Sequence, residues 1–597
     1  MNAAVNYDSL VTQTFCDNAI RSVMMIDDEF IPYPSLIKAF KEDKKPSEIL
    51  INNSSRAAEL ELFFQSKNIL CDIDNSSEHM KLDKIRKSDL IIIDYHLNNS
   101  NPKKTLDILN DLQSSEHLNL AVVYTNENLE VVWKEIASAL VKTPKIADLI
   151  SELDIEELEE KWIEISKDKD YSISNEEISK YLTNQVYPNR ISDKIKNDET
   201  LSLISEQIKK IHDTTPEKDY LPNSLEMLIC NFQLDEISGK YEINPTIDSK
   251  HFKSDVQGKK WIKNNNIFIC LVNKTNIDTR TDTSPETIWN TLTQSLIEWK
   301  PTYYQLMQSE IQNFIESEAL AFNKRYNNEI LGQAAWLNEI IKSDTNSQQE
   351  IIKSIYRNLS EDLYFKFKKS NSLNNYLNNI FIFYKDKSKN DNQKLKFCAN
   401  EMDINFQTNT PIEMYHALNM HLSSKNYEEK FISTGTVFWD QTNDSWYLCV
   451  SAACDMVPNQ GSDPHYKRLN PHRIIKVLKL FQVTTVKKAI KGAHNSQYIY
   501  ITHDNSPLFF SIFDNGKNLP CVDYVIIKDH ETNSSSHPNK IKACLWHTNK
   551  DNKTIELQDI DVKLKSQLRS GYAERFQAIA GQYTSRIGVD YISAEIP

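Results

Sequence analysis

Four side chains stand where they could handle a metal ion and a phosphate. Asp27 and Asp28 directly follow the apolar run SVMMI (Ser22–Ile26), Asp94 directly follows LIII (Leu90–Ile93), and Thr125 closes LAVVY (Leu120–Tyr124). In an open parallel sheet, ligands bind beyond the carboxyl ends of the strands. If these runs are parallel neighbours, three carboxylates converge on one edge with a hydroxyl beside them. Such a cluster repels itself unless a hard cation joins it, and an all-oxygen donor set suits Mg²⁺. The Thr125 hydroxyl is then placed to hydrogen-bond a bound phosphoryl group. The plainer role of an aspartate after a strand is that of a helix cap or turn residue.

The elements that must position these groups alternate short apolar runs with helical patterns, the signature of βαβ units and a parallel sheet. Strands are predicted over Ser22–Ile26, Ile69–Ile73, Leu90–Ile93 and Leu120–Tyr124. Helices are predicted over Arg56–Phe64 behind Ser54 or Ser55, Met80–Arg86 behind Ser76 and Ser77, Pro102–Leu112, and around Leu129–Leu140. From Ile146 to about Lys180 the chain is strongly acidic with apolar residues at helical spacing, a pattern that fits a solvated helix face. A strand signal returns over Ile262–Val272. Ser284-Pro285-Glu286 then opens a helical tract that runs in pieces to about Phe367. Residues 368 to 400, rich in Asn, Lys and Ser, read as a linker. From Phe431 strand patterns dominate (TGTVFWD, SWYLCVSAA, QYIYIT, LFFSIF, CVDYVII, KACLWH), and a helix is predicted over Leu564–Tyr583.

The pair Asp27-Asp28 in MMIDDE, Asp94 in LIIIDYHL and Thr125 in AVVYTNE together resemble the receiver domain of two-component response regulators. The resemblance implies a flavodoxin-like α/β fold and a phosphoacceptor at Asp94. It also implies Mg²⁺ bound by Asp27, Asp28, Asp94 and the backbone carbonyl of His96, with Thr125 as the hydroxyl that follows the phosphoryl group. The family lysine at the end of a fifth strand is absent at its usual distance. Lys142 is near that distance but falls in a helical pattern. Lys274 ends the strand-like IFICLVNK and is the preferred candidate, which makes residues 145 to 260 an insertion before the last strand. The sequence also departs from receivers in about 25 extra residues between Asp28 and the first helix, and in YHLNNSNPKK, which replaces the usual proline and glycine after the acceptor.

The C-terminal pattern, GTVFWD after Gly435, WYLCVSAACDM ending near Cys454-Asp455, CVDYVII and a closing LRSGYAERFQAIAGQYTSRIGV, resembles a poorly characterised β-rich module of bacterial proteins. Receiver-like domains, degenerate ones among them, also occur in bacterial conflict and anti-phage operons beside histidine-kinase-like ATPases. The expected organisation is therefore multidomain α/β plus all-β. Residues 1–145 form a receiver-like domain, 146–260 an acidic and largely helical insertion, and 261–300 the last strand and helix of the receiver. Residues 301–400 are a helical region with a polar linker, and 401–597 a barrel-like β module with a terminal helix.

Composition excludes several classes. Aromatic residues at 10% and charged residues at 25% rule out wholesale disorder. Glycine occurs 10 times in 597 residues and not before Gly239, so no GxGxxG or GxxxxGK[ST] phosphate cradle can be written. No apolar run approaches the 18 or so residues of a membrane span, and the N-terminus MNAAVNYDSLV lacks a leader pattern. Nine scattered cysteines without a CxxC pair suit reduced thiols, and a cytoplasmic location is expected. Residues 1 to 430 carry 50 Lys+Arg against 67 Asp+Glu, which argues against nucleic acid there; 431 to 597 carry 19 against 16.

Other groupings have plainer readings. Cys449, Cys454, His465 and His472 match no standard zinc spacing. Asp455, Arg575 and Arg586 suit turn capping and helix-surface pairs. The basic residues between Arg473 and Lys491 fit a solvated face, and the aromatic residues from Trp289 to Trp336 fit helix packing. The function expected is a phosphoacceptor regulator rather than a turnover enzyme, with a histidine kinase or kinase-like ATPase as donor and a protein partner for the C-terminal module. The alternatives are a phosphorylation-independent scaffold of a defence system, and a nucleic-acid-binding or hydrolytic effector acting through the C-terminal module.

Overall fold

The computed structural model describes residues 5–41, 48–75, 85, 87–97, 101–143, 173–183, 196–214, 224–249, 251–275, 282–318, 329–342, 345–428, 431–458, 463–495, 497–503, 506–514, 519–530, 539–549 and 553–585. They form two compact units, residues 1–321 with 366–389, and residues 322–365 with 390–597.

The first unit is built on seven strands: β1 (Ser22–Ile26), β2 (Leu70–Asp74), β3 (Leu90–Ile93), β4 (Asn119–Thr125), β5 (Lys253–Asp255), β6 (Trp261–Asn264) and β7 (Ile267–Asn273). Their order in the sheet is β2-β1-β3-β4-β7-β6-β5. The first five of these are mutually parallel, while β6 and β5 add antiparallel at the edge. Burial on both faces explains why the central strands read as continuous apolar runs rather than alternating ones. Met24, Ile26, Ile91, Ile93, Ala121, Val123, Ile269 and Leu271 enter one core. Val23, Met25, Leu90, Ile92, Val122, Phe268 and Cys270 enter the other. Each fully buried Val, Leu, Ile or Phe contributes about 1.5–3 kcal/mol, so strand register is firmly set.

The first core is covered by the helices Lys103–Gln113 and Leu129–Leu140, and then by insertion helices. Ile178, Ile204, Ile208, Leu228 and Phe232, from the helices Asn175–Leu182, Glu199–Thr214 and Leu225–Lys240, belong to it. The insertion thus extends the core of the sheet. It returns to the sheet through the β6–β7 hairpin, where Asn265 takes a left-handed φ of 40° in a chain that has little glycine to offer. The second core is covered by Glu48–Ser66, Pro285–Trp299 and part of Asn371–Lys387.

The second unit contains β8 (Ser424–Asn426), β9 (Thr436–Asp440), β10 (Ser445–Cys449), β11 (Arg473–Gln482), β12 (Tyr498–His503), β13 (Ser506–Ser511), β14 (Val522–Ile527), β15 (Lys540–Thr548) and β16 (Ile555–Leu568). β9, β16, β15, β14, β11 and β10 pair in turn, and the β10–β11 pairing closes a six-stranded barrel. Phe438, Tyr447, Ile475, Val525, Ile560 and Val562 fill it. A second core lies on its outside, where Val437, Leu448, Leu478 and Phe510 meet Phe576 and Ala580 of the terminal helix Ser570–Thr584.

Several expectations are corrected. The first helix after Asp28 starts at Tyr33 rather than some 25 residues later, and the next, Glu48–Ser66, holds Ser54 and Ser55 in its interior instead of at its cap. Leu564–Leu568 belong to β16, not to the terminal helix. Their four-residue spacing imitates a helix, but Ile560, Val562 and Leu564 alternate into the barrel. Residues read as linker form the helix Asn371–Lys387, because Leu373, Tyr376 and Ile380 are buried at helical spacing and the Ser370 side chain caps its start. The basic residues from Arg473 to Lys491 are divided between β11 and a short helix, Val486–Lys491, and Arg473 is buried rather than on a solvated face. Of the aromatic tract, Trp289 and Trp299 are core residues, whereas Tyr303 and Tyr304 are exposed. Most of Met80–Arg86, the acidic stretch up to residue 172, Phe322, Tyr326 and Arg586 lie outside the described residues.

Candidate functional site

Backbone pairing brings the predicted residues to one edge of the sheet. β1 and β3 run side by side in register, Ile26 opposite Ile93, so Asp27 and Asp94 emerge together. The Asp94 N–H donates to the Ile26 carbonyl at 2.8 Å, which extends the ladder by one residue and fixes the acidic side chain over the edge. The Asp27 N–H donates to the Asp74 carbonyl at 3.1 Å, and the Glu29 N–H donates to Asp27 Oδ1 at 2.9 Å, turning the chain sharply away after β1. β4 ends at Thr125, whose side chain is buried, and the Thr125 carbonyl accepts from the Lys274 N–H at 2.7 Å as β7 closes beside it.

Lys274 enters the acidic cluster from the end of β7. Its ammonium lies 2.8 Å from Asp27 Oδ2, 3.3 Å from Asp94 Oδ1 and 3.9 Å from Glu29 Oε2. The side chains of Lys274 and Asp27 are each 3% exposed, that of Asp94 is 11% exposed, and Asp28 faces solvent. A carboxylate oxygen from each of Asp27, Asp28 and Asp94 lies within 4.8 Å of the others, and this is the one such acidic, Cys or His group among the described residues. Asp94 is further held by its neighbours. Its Oδ1 accepts from the Tyr95 N–H at 2.8 Å, and its carbonyl accepts from the Thr105 hydroxyl at 2.8 Å.

Burial chiefly, with the charge of Asp27 added, pushes the Asp94 carboxyl up to about 7, against the opposing pull of Lys274. Burial and the same neighbour also raise Asp28. For Lys274, burial lowers the pKa, but the carboxylates of Asp27 and Asp94 outweigh it and the net shift is upward, so the ammonium stays charged. Beside the one ammonium, the Asp94 and Asp28 carboxyls thus both resist ionising. Hard oxygen donors with an uncompensated charge fit a divalent cation such as Mg²⁺, with one solvent-facing ligand, Asp28, leaving room for water.

Lys142, the competing lysine, is exposed just beyond the helix Leu129–Leu140 and takes no part. His96 lies in the loop after Asp94, its Nδ1 3.5 Å from Glu127 Oε1. The four Cys and His residues weighed for zinc do not assemble: Cys449 is buried in β10, Cys454 is exposed, and His472 Nδ1 accepts from the Asp529 N–H at 3.0 Å. Asp455 lies on a short 3-10 turn, and Arg575 is exposed on the terminal helix. The sequence reading missed Glu29 and the buried Glu135, which meets the hydroxyls of Tyr95 and Tyr241. The DDE triplet was a signal for Glu29. Nothing local marks Glu135, because its partners are 40 and 106 residues away.

Residues 19–173, about a quarter of the chain, match the family model of the response receiver domain. The N-terminal unit therefore carries a receiver domain, which supports a response-regulator-like signalling role. The matched range ends before β7, so the strand that delivers Lys274 lies beyond it, on the far side of the insertion. Comparison with curated proteins and with solved structures gives no match. No described helix is long and apolar enough to cross a membrane.

Proposed function

We propose that this receiver accepts a phosphoryl group on Asp94, with Mg²⁺ held by Asp27, Asp28, Asp94 and the His96 carbonyl, and that the modified form changes its contacts with a protein partner. The observation that carries the reading is the Lys274 ammonium bridging Asp27 and Asp94, residues that precede it by 247 and 180 positions in the sequence. A chain that loops out its insertion and still returns a lysine to this edge has the groups an in-line transfer to a carboxylate requires.

In that reaction an Asp94 oxygen attacks the phosphorus of a phosphohistidine on a histidine kinase or kinase-like ATPase. The P–N bond breaks, and its electron pair leaves with the imidazole. Lys274, whose ammonium stands beside Asp94 Oδ1, offsets the negative charge that the incoming phosphoryl oxygens bring to this edge, while Asp27 fixes the lysine. Thr125 offers its hydroxyl to the new phosphoryl oxygens from the next strand end. Mg²⁺ held by Asp27, Asp28, Asp94 and the His96 carbonyl would supply charge neutralisation for those oxygens. The added charge at the sheet edge then shifts the population of conformers seen by the partner. A place in bacterial anti-phage defence rests on the family resemblance alone.

The test is binding of beryllofluoride, a mimic of the aspartyl phosphate, to the full chain and to Asp94→Asn. Mg²⁺-dependent binding that the substitution abolishes is the expected result. Absence of binding by the unaltered chain at millimolar Mg²⁺ would refute the reading and leave the receiver as a phosphorylation-independent scaffold.

A further inference from the structure

Glu135 lies on the helix Leu129–Leu140, is 8% exposed, and has each carboxylate oxygen engaged by a different phenol. One is Tyr95, the residue directly after the acceptor, 2% exposed, whose hydroxyl donates to Oε2. The other is Tyr241, the C-cap of the insertion helix Leu225–Lys240, whose hydroxyl donates to Oε1 at 2.7 Å. The Lys240 ammonium stands 3.8 Å from the same oxygen. A second tie runs in parallel: Lys103 Nζ, in the first turn of the helix after the acceptor loop, meets Glu242 Oε2 at 2.6 Å. The start of that helix is itself anchored on the acceptor by the Thr105 hydroxyl on the Asp94 carbonyl.

We infer that Tyr95, Glu135 and Tyr241 form a relay through which the state of Asp94 is read by the end of the insertion helix, making the turn at residues 240–242 part of the output of the receiver. The inference rests on Asp94 being the acceptor. Its physical basis is that the Tyr95 N–H is held by Asp94 Oδ1. Phosphorylation reorganises that carboxylate, and the Tyr95 backbone must adjust with it. The Tyr95 ring is buried and its hydroxyl is committed to a buried carboxylate, so an adjustment of Tyr95 displaces Glu135 or breaks a hydrogen bond whose groups are shielded from solvent. Glu135 cannot follow Tyr95 without changing its bond to Tyr241. Two arrangements of one hydrogen-bonded unit are what coupling between sites requires.

Amide hydrogen exchange on the full chain, with and without Mg²⁺ and beryllofluoride, tests this. The expected result is a change in protection over residues 225–242 in the unaltered chain that Tyr241→Phe loses while still binding beryllofluoride. Glu135→Gln, nearly isosteric, should lose it too and serves if Tyr241→Phe folds poorly. Binding without any change over 225–242, or an undiminished change in both variants, overturns the relay and leaves the acceptor reading intact. Failure of the unaltered chain to bind overturns the acceptor reading and the relay with it.

Discussion

Replacing Asp94 by Asn should make the metal-free protein more stable above neutral pH. The Asp94 carboxyl is pushed from 3.8 to about 7, first by burial and then by Asp27. Between those two values the folded state binds a proton that the unfolded chain has released, so stability falls as pH rises and the full penalty is present above about 7. At about 1.4 kcal/mol for each tenfold change in proton affinity, this displacement sets an upper bound of about 4 kcal/mol. Asn keeps the shape, lacks the charge, and leaves Lys274 paired with Asp27 at 2.8 Å. A net gain of about 2–4 kcal/mol follows, or roughly 3–6 °C in Tm for a unit of this size. The assay is thermal unfolding of both proteins with a chelator, from about pH 5 to about pH 8. The gap should be small at the acid end, grow through neutrality, and shrink or reverse with Mg²⁺, which stabilises only the form that binds it. A variant no more stable than the parent at the alkaline end, or a gap independent of pH, would refute the electrostatic account of this edge.

The second unit offers two further tests. His416, 2% exposed on the helix Thr410–Ser423, sets its Nε2 3.1 Å from the Leu508 carbonyl and packs against Phe509, and burial lowers its pKa below 6.5. The folded state therefore takes up fewer protons than the unfolded one. Its contribution holds above about pH 6.5 and declines as pH falls below it, a slope in the urea midpoint that His416→Leu should remove. Gly435 has a φ of +90°, and an added Cβ would meet Ala573 Cβ at 2.6 Å and Gln567 Nε2 at 3.0 Å. Gly435→Ala should cost about 2–3 kcal/mol and loosen the terminal helix, measurable as a lower unfolding midpoint; an unchanged midpoint would mean that the helix docks with more tolerance than the packing implies.

What could be read from the chain follows from how local each signal is. The runs SVMMI, LIII and LAVVY are strands buried on both faces, and burial on both faces demands apolar residues throughout, so Asp27, Asp94 and Thr125 could be placed at strand ends by composition alone. Ser284-Pro285 marked its helix because the cap hydroxyl and the missing proline N–H act within one turn. The helix Asn371–Lys387 was hidden because three buried residues in a polar sequence look like a linker until the core they enter is known. Leu564–Leu568 were misread because spacing alone cannot separate a strand that fills a barrel from a helix. Lys274 could be proposed from its strand-like context. Its meeting with Asp27 and Asp94 is set by β7 pairing with β4, a contact between residues about 150 apart. The chemistry at the strand ends is thus written in the linear chain, because burial selects side chains residue by residue along each strand. That the insertion shares the core of the sheet, and that Glu135 joins Tyr95 to Tyr241, is written nowhere locally, because those contacts exist only once distant segments pack.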